Sequence, residues 1–103
     1  MVEEAIRSSL FVLAAFDEEH LVGLIRAVGD GCSVMFLQDI LVLPSYQRKG
    51  IGTHLMKRFL ETYSQVYQIH LLTENQEVTR QFYQSLGFTS VDKLNCLAYT
   101  YLG

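Results

Sequence analysis

The spacing of apolar residues changes once along the chain, near Ile51. Ahead of that point, apolar residues come in runs of strand length separated by polar or glycine-rich breaks. Residues 10–16, Leu-Phe-Val-Leu-Ala-Ala-Phe, are apolar throughout and predict a strand covered on both faces. Asp17-Glu18-Glu19-His20 is a polar turn into a second strand over 21–28, antiparallel to the first. Gly29-Asp30-Gly31 turns the chain again, into a long third strand over 33–43 interrupted by the polar pair Gln38 and Asp39. Two polar residues inside an apolar strand mark a bulge, an edge or a site.

From Ile51 the period becomes helical. Ile51, Leu55, Met56, Phe59, Leu60 and Tyr63 share one face, and His54, Lys57, Arg58, Glu61 and Thr62 the other. A fourth strand over 67–73 follows this helix and is expected to run parallel to the third through a right-handed crossover. Residues 74–86 predict a second helix stopped by Gly87, and 88–91 and 94–101 two closing strands around Asp92-Lys93. Residues 3–9 read as the tail of a helix. The fold class is therefore α+β with a mixed sheet: an antiparallel meander, a βαβ crossover with two helices, and closing strands.

Composition limits the function classes. A chain of 103 residues, half of them apolar, is read as a single domain over 1–103 with a real core. Net charge is −3 and the pI about 5.5, so no global field draws it to nucleic acid or an anionic membrane. No apolar run approaches the ~18 residues of a membrane span. Cys32 and Cys96 are far apart with no second ligand at metal spacing, which predicts no metal site and two small core residues in a reduced, cytoplasmic protein.

The chemistry concentrates where the period changes. Gly50 and Gly52 stand where a strand hands over to a helix, with Arg48 and Lys49 beside them. A helix start offers N–H groups without intrahelical partners and the positive end of a dipole, and glycine lets a phosphate approach them. A Walker loop needs wider glycine spacing with Lys after it, and a dinucleotide fold a third glycine. Neither pattern is present.

What remains is Val42-Leu43-Pro44-Ser45-Tyr46-Gln47-Arg48-Lys49-Gly50-Ile51-Gly52 followed, one strand later, by Phe82-Tyr83-Gln84-Ser85-Leu86-Gly87-Phe88. The two in this order resemble the GNAT superfamily of N-acetyltransferases, from about Leu10 to the end. The resemblance implies a GNAT-like domain with acetyl-CoA as co-substrate and an amine acceptor. Backbone groups of Ile40, Leu41 and Val42 would pair with the pantetheine arm. Gln47, Arg48, Lys49, Gly50, Ile51, Gly52 and Thr53 would hold the pyrophosphate. Tyr83 falls where the family places the acid that protonates the departing thiolate; the plain alternative is an aromatic packing beside Phe82.

The chain departs from the pattern in three places. The family's cofactor-contacting Asn falls here at Gln76, with Asn75 one step earlier. The carboxylate often found on the fourth strand falls at Leu71, so Asp39, Glu74 or a water stands as base. Of the family's usual first strand and helices only a remnant over residues 1–9 is expected here, which makes residues 10–16 an apolar sheet edge and predicts a homo-oligomer that covers it. A non-catalytic acyl-CoA-binding module is the alternative to an enzyme.

Overall fold

The structure, a computed structural model, describes residues 9–103. The helix tail expected over residues 3–9 lies outside that range except for Ser9. The chain divides into two compact units, the first ending at Leu72 and the second spanning Thr73–Gly103.

The first unit holds strands β1 (Phe11–Asp17), β2 (His20–Gly29), β3 (Val34–Val42) and β4 (Gln68–Leu71), with helix α1 (Ile51–Thr62) between the last two. The sheet order is β1-β2-β3-β4. The first three strands are antiparallel, and β4 runs parallel to β3, a pairing that needs a crossover connection, which α1 supplies. The β2–β3 turn is built by Asp30. Its Oδ1 accepts from the backbone N–H groups of Cys32 and Ser33 at 2.8 Å and Val34 at 3.1 Å, and its Oδ2 from the Ser33 hydroxyl. The Ser33 hydroxyl and then these amides hold the Asp30 carboxyl well below the usual carboxylate range.

Helix α1 buries Leu55, Met56 and Phe59 against Val22, Ile25, Ala27, Met35 and Leu37 of the sheet. Gly23 of β2 permits the close approach. A Cβ there would stand 3.1 Å from Ile51 Cγ2 and 3.3 Å from Leu55 Cδ1. Phe11, Phe59 and Tyr63 close one end of this core as a ring cluster with centroids 5.4 to 5.5 Å apart. Phe59 is fully buried, and truncating a side chain of this kind to Ala costs about 3–5 kcal/mol.

Two expectations for this unit need correction. Strand β1 is not covered on both faces: Phe11, Leu13 and Ala15 are half-buried while Val12, Ala14 and Phe16 are exposed. It borders only β2 among the described residues, and α1 packs against one side of the sheet. Cys32 is exposed in the β2–β3 turn, where its N–H serves Asp30, so it is not a core residue.

The second unit contains α2 (Glu77–Ser85) and a 3₁₀ turn (Val91–Leu94). The helix starts at Glu77 rather than at residue 74 because Gln76 is extended and acts as its N-cap, its C=O accepting from Arg80 N–H at 2.9 Å. Glu77, favoured in a first turn by the helix dipole, accepts from Arg80 and Gln81. The C-terminus is a Schellman cap. Phe88 N–H donates to Tyr83 C=O at 3.0 Å and Gly87 N–H to Gln84 C=O at 3.0 Å, with Gly87 at φ 94°.

The closing strands do not form. Ser90 hydrogen-bonds the Asp92 carboxylate, Asn95 takes a left-handed φ of 59°, and Cys96 N–H returns to Val91 C=O at 3.0 Å. These local bonds satisfy the backbone in a turn and compete with strand pairing. Leu97, Tyr99 and Tyr101 keep a strand's alternation but have no ladder partner among the described residues and are exposed. Cys96, expected in the core, is exposed as well.

Candidate functional site

Strand β3 is the element that positions the site. Its ladder with β2 continues to Gly23↔Val42, whereas its ladder with β4 stops at Leu37↔Leu71. Beyond Leu37, β3 therefore has a strand on one side only among the described residues. The break coincides with a β-bulge: Arg26 faces Asp39 and Ala27 faces Leu37, so Gln38 is the extra residue. Of the meanings open to that polar pair, a bulge is the one formed.

Which backbone groups face the open side follows from the ladder. Leu43 N–H donates to Val22 C=O at 2.9 Å. Polar groups alternate along an antiparallel strand, so those of Leu41 also turn toward β2 while those of Ile40 and Val42 turn away from it. The Val42 C=O is met by Gln47 Nε2 at 3.0 Å. Ile40 and Val42 thus present backbone groups on the unpaired side and Leu41 does not, while the Leu41 side chain is exposed.

The glycine turn follows directly. Pro44–Tyr46 form a 3₁₀ turn, Gln47 is extended, Arg48 lies at φ 66°, and Gly50 caps α1 at φ 81° and ψ 6°. Left-handed residues in alternation with ordinary ones turn N–H groups to one side, the geometry of an anion nest. The Gly50 C=O accepts from His54 N–H at 2.9 Å, and no side chain caps the helix start. The N–H groups of Ile51, Gly52 and Thr53 belong to the first turn and have no intrahelical acceptor. A Cβ on Gly50 would meet nothing within 4 Å, so the space around this position of the turn is open. Donors, positive dipole end and open space together suit a diphosphate.

Around the turn, the Tyr46 hydroxyl donates to Asp17 Oδ2 at 2.6 Å, and Lys49 Nζ lies 5.3 Å from the centroid of the Tyr46 ring. On β2 and β3, Arg26 Nε donates to Asp39 Oδ2 at 2.8 Å and Arg26 Nη1 to Ser9 Oγ at 3.2 Å. The sequence reading missed the roles of Arg26, Asp17 and Tyr46. Arg26 carried a signal, since it is the lone cation in an apolar strand that pairs with the strand bearing Asp39. The Asp17–Tyr46 bond joins residues 29 positions apart and left none.

In the second unit, Tyr83 is half-buried, its ring 5.0 Å from Phe82 and 5.7 Å from Phe88. The Phe88 contact is the apolar contact that accompanies the Schellman cap, so the aromatic-packing reading of Tyr83 holds for its ring. Burial raises the phenol pKa above its ordinary value, with a hydrogen bond to Thr73 acting the other way. Tyr83 therefore stays a neutral donor at pH 7. Of the two amides considered, Asn75 Oδ1 is taken by Arg80, while Gln76 is exposed and its side chain makes no cap bond. Glu74 and Leu72 are exposed and Leu71 is half-buried. No group of His, Cys, Asp and Glu able to hold a metal occurs among the described residues.

Comparison with known proteins agrees with this geometry. Residues 7–90 match the acetyltransferase (GNAT) domain family. A GNAT-family acetyltransferase from Streptococcus pneumoniae shares 44% identity at a TM-score of 0.95, over 99% of this chain and 77% of that one. The histone acetyltransferase TAP1 of Glycine max is 34% identical over 74 residues, 70% of this chain and 31% of that protein, so the chain spans less than a third of its length. The aminoglycoside N-acetyltransferase AAC(6′)-Iy in complex with CoA shares the fold at a TM-score of 0.71 and 22% identity, over 96% of this chain and 81% of that one. With a mixed sheet that opens beyond Leu37, a glycine turn at the start of α1 and a family match over most of its length, the chain belongs to the GNAT acetyltransferase family.

Proposed function

We propose that this protein binds acetyl-CoA along the open side of β3 and transfers its acetyl group to a primary amine. The observation that carries this is the run from the one-sided end of β3 into the turn at Gly50. The backbone groups of Ile40 and the N–H of Val42 suit the amide-bearing pantetheine arm as a pseudo-strand. The N–H groups from Arg48 to Thr53 suit the diphosphate.

Acetyl-CoA supplies an acyl group activated as a thioester. The transfer forms a bond from the amine nitrogen to the acyl carbon and breaks the carbon–sulfur bond; the amine gives up a proton and the leaving sulfur takes one. Tyr83, neutral at pH 7, is assigned as the acid, and Asp39, with its Oδ2 held by Arg26, as the base reached directly or through water. Gln76 is assigned an amide contact to the donor.

The test is thermal stability with CoA, acetyl-CoA, ATP and NAD in parallel, since a ligand at ~100 times its Kd adds ~2.7 kcal/mol. Release of free thiol from acetyl-CoA is then followed with a panel of amines: a lysine-bearing histone peptide, an aminoglycoside, a polyamine and free amino acids. The first two are the acceptors that the relatives' names suggest. Stabilisation by ATP or NAD with none by CoA refutes the reading.

The ion pair that engages Asp39 favours a second reading, a module that holds acyl-CoA without turning it over. CoA binding with no thiol released by any amine would select it. The exposed Val12 and Phe16 on β1 support a homo-oligomer that covers this edge, and a strictly monomeric sedimentation profile at tens of micromolar refutes that part.

A further inference from the structure

We propose that Asp17 and Tyr46 act as a strap that holds the glycine turn in its anion-binding shape, so that they set affinity for the diphosphate end of the donor and not for its pantetheine arm. This deepens the reading above and rests on it. Neither residue contacts the donor in this account; both are positioning residues.

The turn needs such support. It places a non-glycine residue, Arg48, at φ 66°, a conformation that persists only where the surroundings over-determine it. Strain of this kind would relax by swinging residues 47–50 outward, which would scatter the N–H groups that converge there. Two side-chain bonds oppose that motion. Gln47 Nε2 holds the Val42 C=O at 3.0 Å and ties the turn to the end of β3. Tyr46, the last residue of the 3₁₀ turn, reaches the end of β1 through its hydroxyl, 2.6 Å from Asp17 Oδ2.

Asp17 is well placed for this. It closes β1 opposite His20, just after the register of the β1–β2 hairpin shifts between Ala15 and Phe16. Val22, the residue of β2 left without a partner by that shift, is 3% exposed, and its C=O accepts from Leu43 N–H at 2.9 Å, immediately before the turn. The hairpin end is thus bonded to both flanks of Pro44-Ser45: through Val22 before it and through Asp17 after it. The bond to Asp17 also keeps the proton on Tyr46, whose phenol pKa is raised first by that bond and then by burial and charge. The Tyr46 ring has a second role, since it carries Lys49 Nζ at 5.3 Å and keeps that cation at the turn.

The substitutions separate these effects. Tyr46→Phe keeps the ring and its cation contact but loses the hydroxyl; Asp17→Ala removes the acceptor; Asp17→Asn keeps an oxygen in its place. Each is titrated by calorimetry with CoA and with S-acetylpantetheine, which lacks the diphosphate. The expected result is about tenfold weaker CoA binding in Tyr46→Phe and in Asp17→Ala, the scale of losing a hydrogen bond to a charged group. Asp17→Asn should recover most of it, the double variant should be no worse than either single one, and S-acetylpantetheine should bind all variants alike. Wild-type affinity for CoA in Tyr46→Phe overturns the strap. So does an equal loss for both ligands, the mark of a general loss of structure. Failure of the wild-type protein to bind CoA at all overturns the acetyl-CoA reading and the strap with it.

Discussion

Arg26 on β2 places its Nε 2.8 Å from Asp39 Oδ2 on β3, at the step where Gln38 leaves the ladder. The Arg26 side chain is 16% exposed and that of Asp39 38%, so the pair is only partly shielded from water. The bulge gives the carboxylate its place. Were the Ala27↔Leu37 register to continue, Arg26 would face Gln38, and the extra residue brings Asp39 into line with the cation instead. Oδ1 accepts no hydrogen bond among the described residues, which leaves one oxygen for a proton.

Replacing Asp39 by Asn tests that role. The amide still accepts from Arg26 but cannot take a proton, so turnover with the amine found in the panel should fall about 10²-fold or more, with the Kd for CoA unchanged. Arg26→Met should lower stability by about 1 kcal/mol or less in urea unfolding, the range of partly exposed ion pairs. Unchanged turnover in Asp39→Asn would remove it as the base.

Gly50→Ala separates folding from binding. A Cβ there meets nothing within 4 Å, so the cost to the fold is the left-handed backbone alone, about 1–2 kcal/mol. The same Cβ would stand at the turn proposed to hold the diphosphate, so CoA affinity should drop by about tenfold or more, a loss of ~1.4 kcal/mol per factor of ten. Urea unfolding and calorimetry on one preparation measure both effects. A small loss of stability with full CoA affinity would show that the diphosphate lies elsewhere.

Gly23→Ala should act from the other side of the helix. Contacts of 3.1 Å to Ile51 Cγ2 and 3.3 Å to Leu55 Cδ1 require side chains at the first turn of α1 to shift, an overpacking cost of about 1–3 kcal/mol. Because that turn carries the N–H groups of the anion site, CoA binding should weaken together with stability. Loss of stability without loss of affinity would mean that the helix start does not contribute to the site.

Much of this was legible in the residues because it is local. The period change at Ile51 set the start of α1, and the face through Leu55, Met56 and Phe59 is the one buried. The polar interruption at Gln38-Asp39 marked the bulge, and Leu86-Gly87-Phe88 marked a helix stop that proved to be a Schellman cap on Tyr83. What was not legible depends on partners distant in sequence. Alternation in Leu97, Tyr99 and Tyr101 cannot reveal whether a neighbouring strand exists, and the turn over Asp92 and Asn95 shows only in the folded backbone. An all-apolar run such as β1 reads the same with one covered face as with two. Cysteine is so often buried that composition placed Cys32 inside, although Asp30 draws its backbone into an exposed turn.

Asp30 gives stability a pH dependence with a defined sign. Its folded pKa lies below the unfolded carboxylate value, so the contribution is complete above ~pH 4 to 5 and is lost as pH falls below the unfolded pKa of ~3.9. Asp30→Ala should lower Tm clearly at pH 7, and the gap to the wild-type protein should shrink at pH 3. A gap of constant size would mean that the ionised carboxylate adds nothing beyond its shape.

Tyr83→Phe is the sharpest test of the chemistry because the ring and the hydroxyl have separate duties. The ring packs 5.0 Å from Phe82 and 5.7 Å from Phe88 and completes the helix cap, and phenylalanine preserves all of this. Stability should therefore hold within ~0.5 kcal/mol, the range of substitutions that leave packing intact. Turnover should fall about 10²-fold or more if the phenol is the acid, with the Kd for CoA unchanged. The raised pKa adds a second mark: folding favours the protonated phenol, so the alkaline fall in activity assignable to Tyr83 should come at higher pH than the loss of a proton from an ordinary tyrosine. Equal turnover in Tyr83→Phe, measured by thiol release across pH 7 to 10, would leave the residue with its packing role alone.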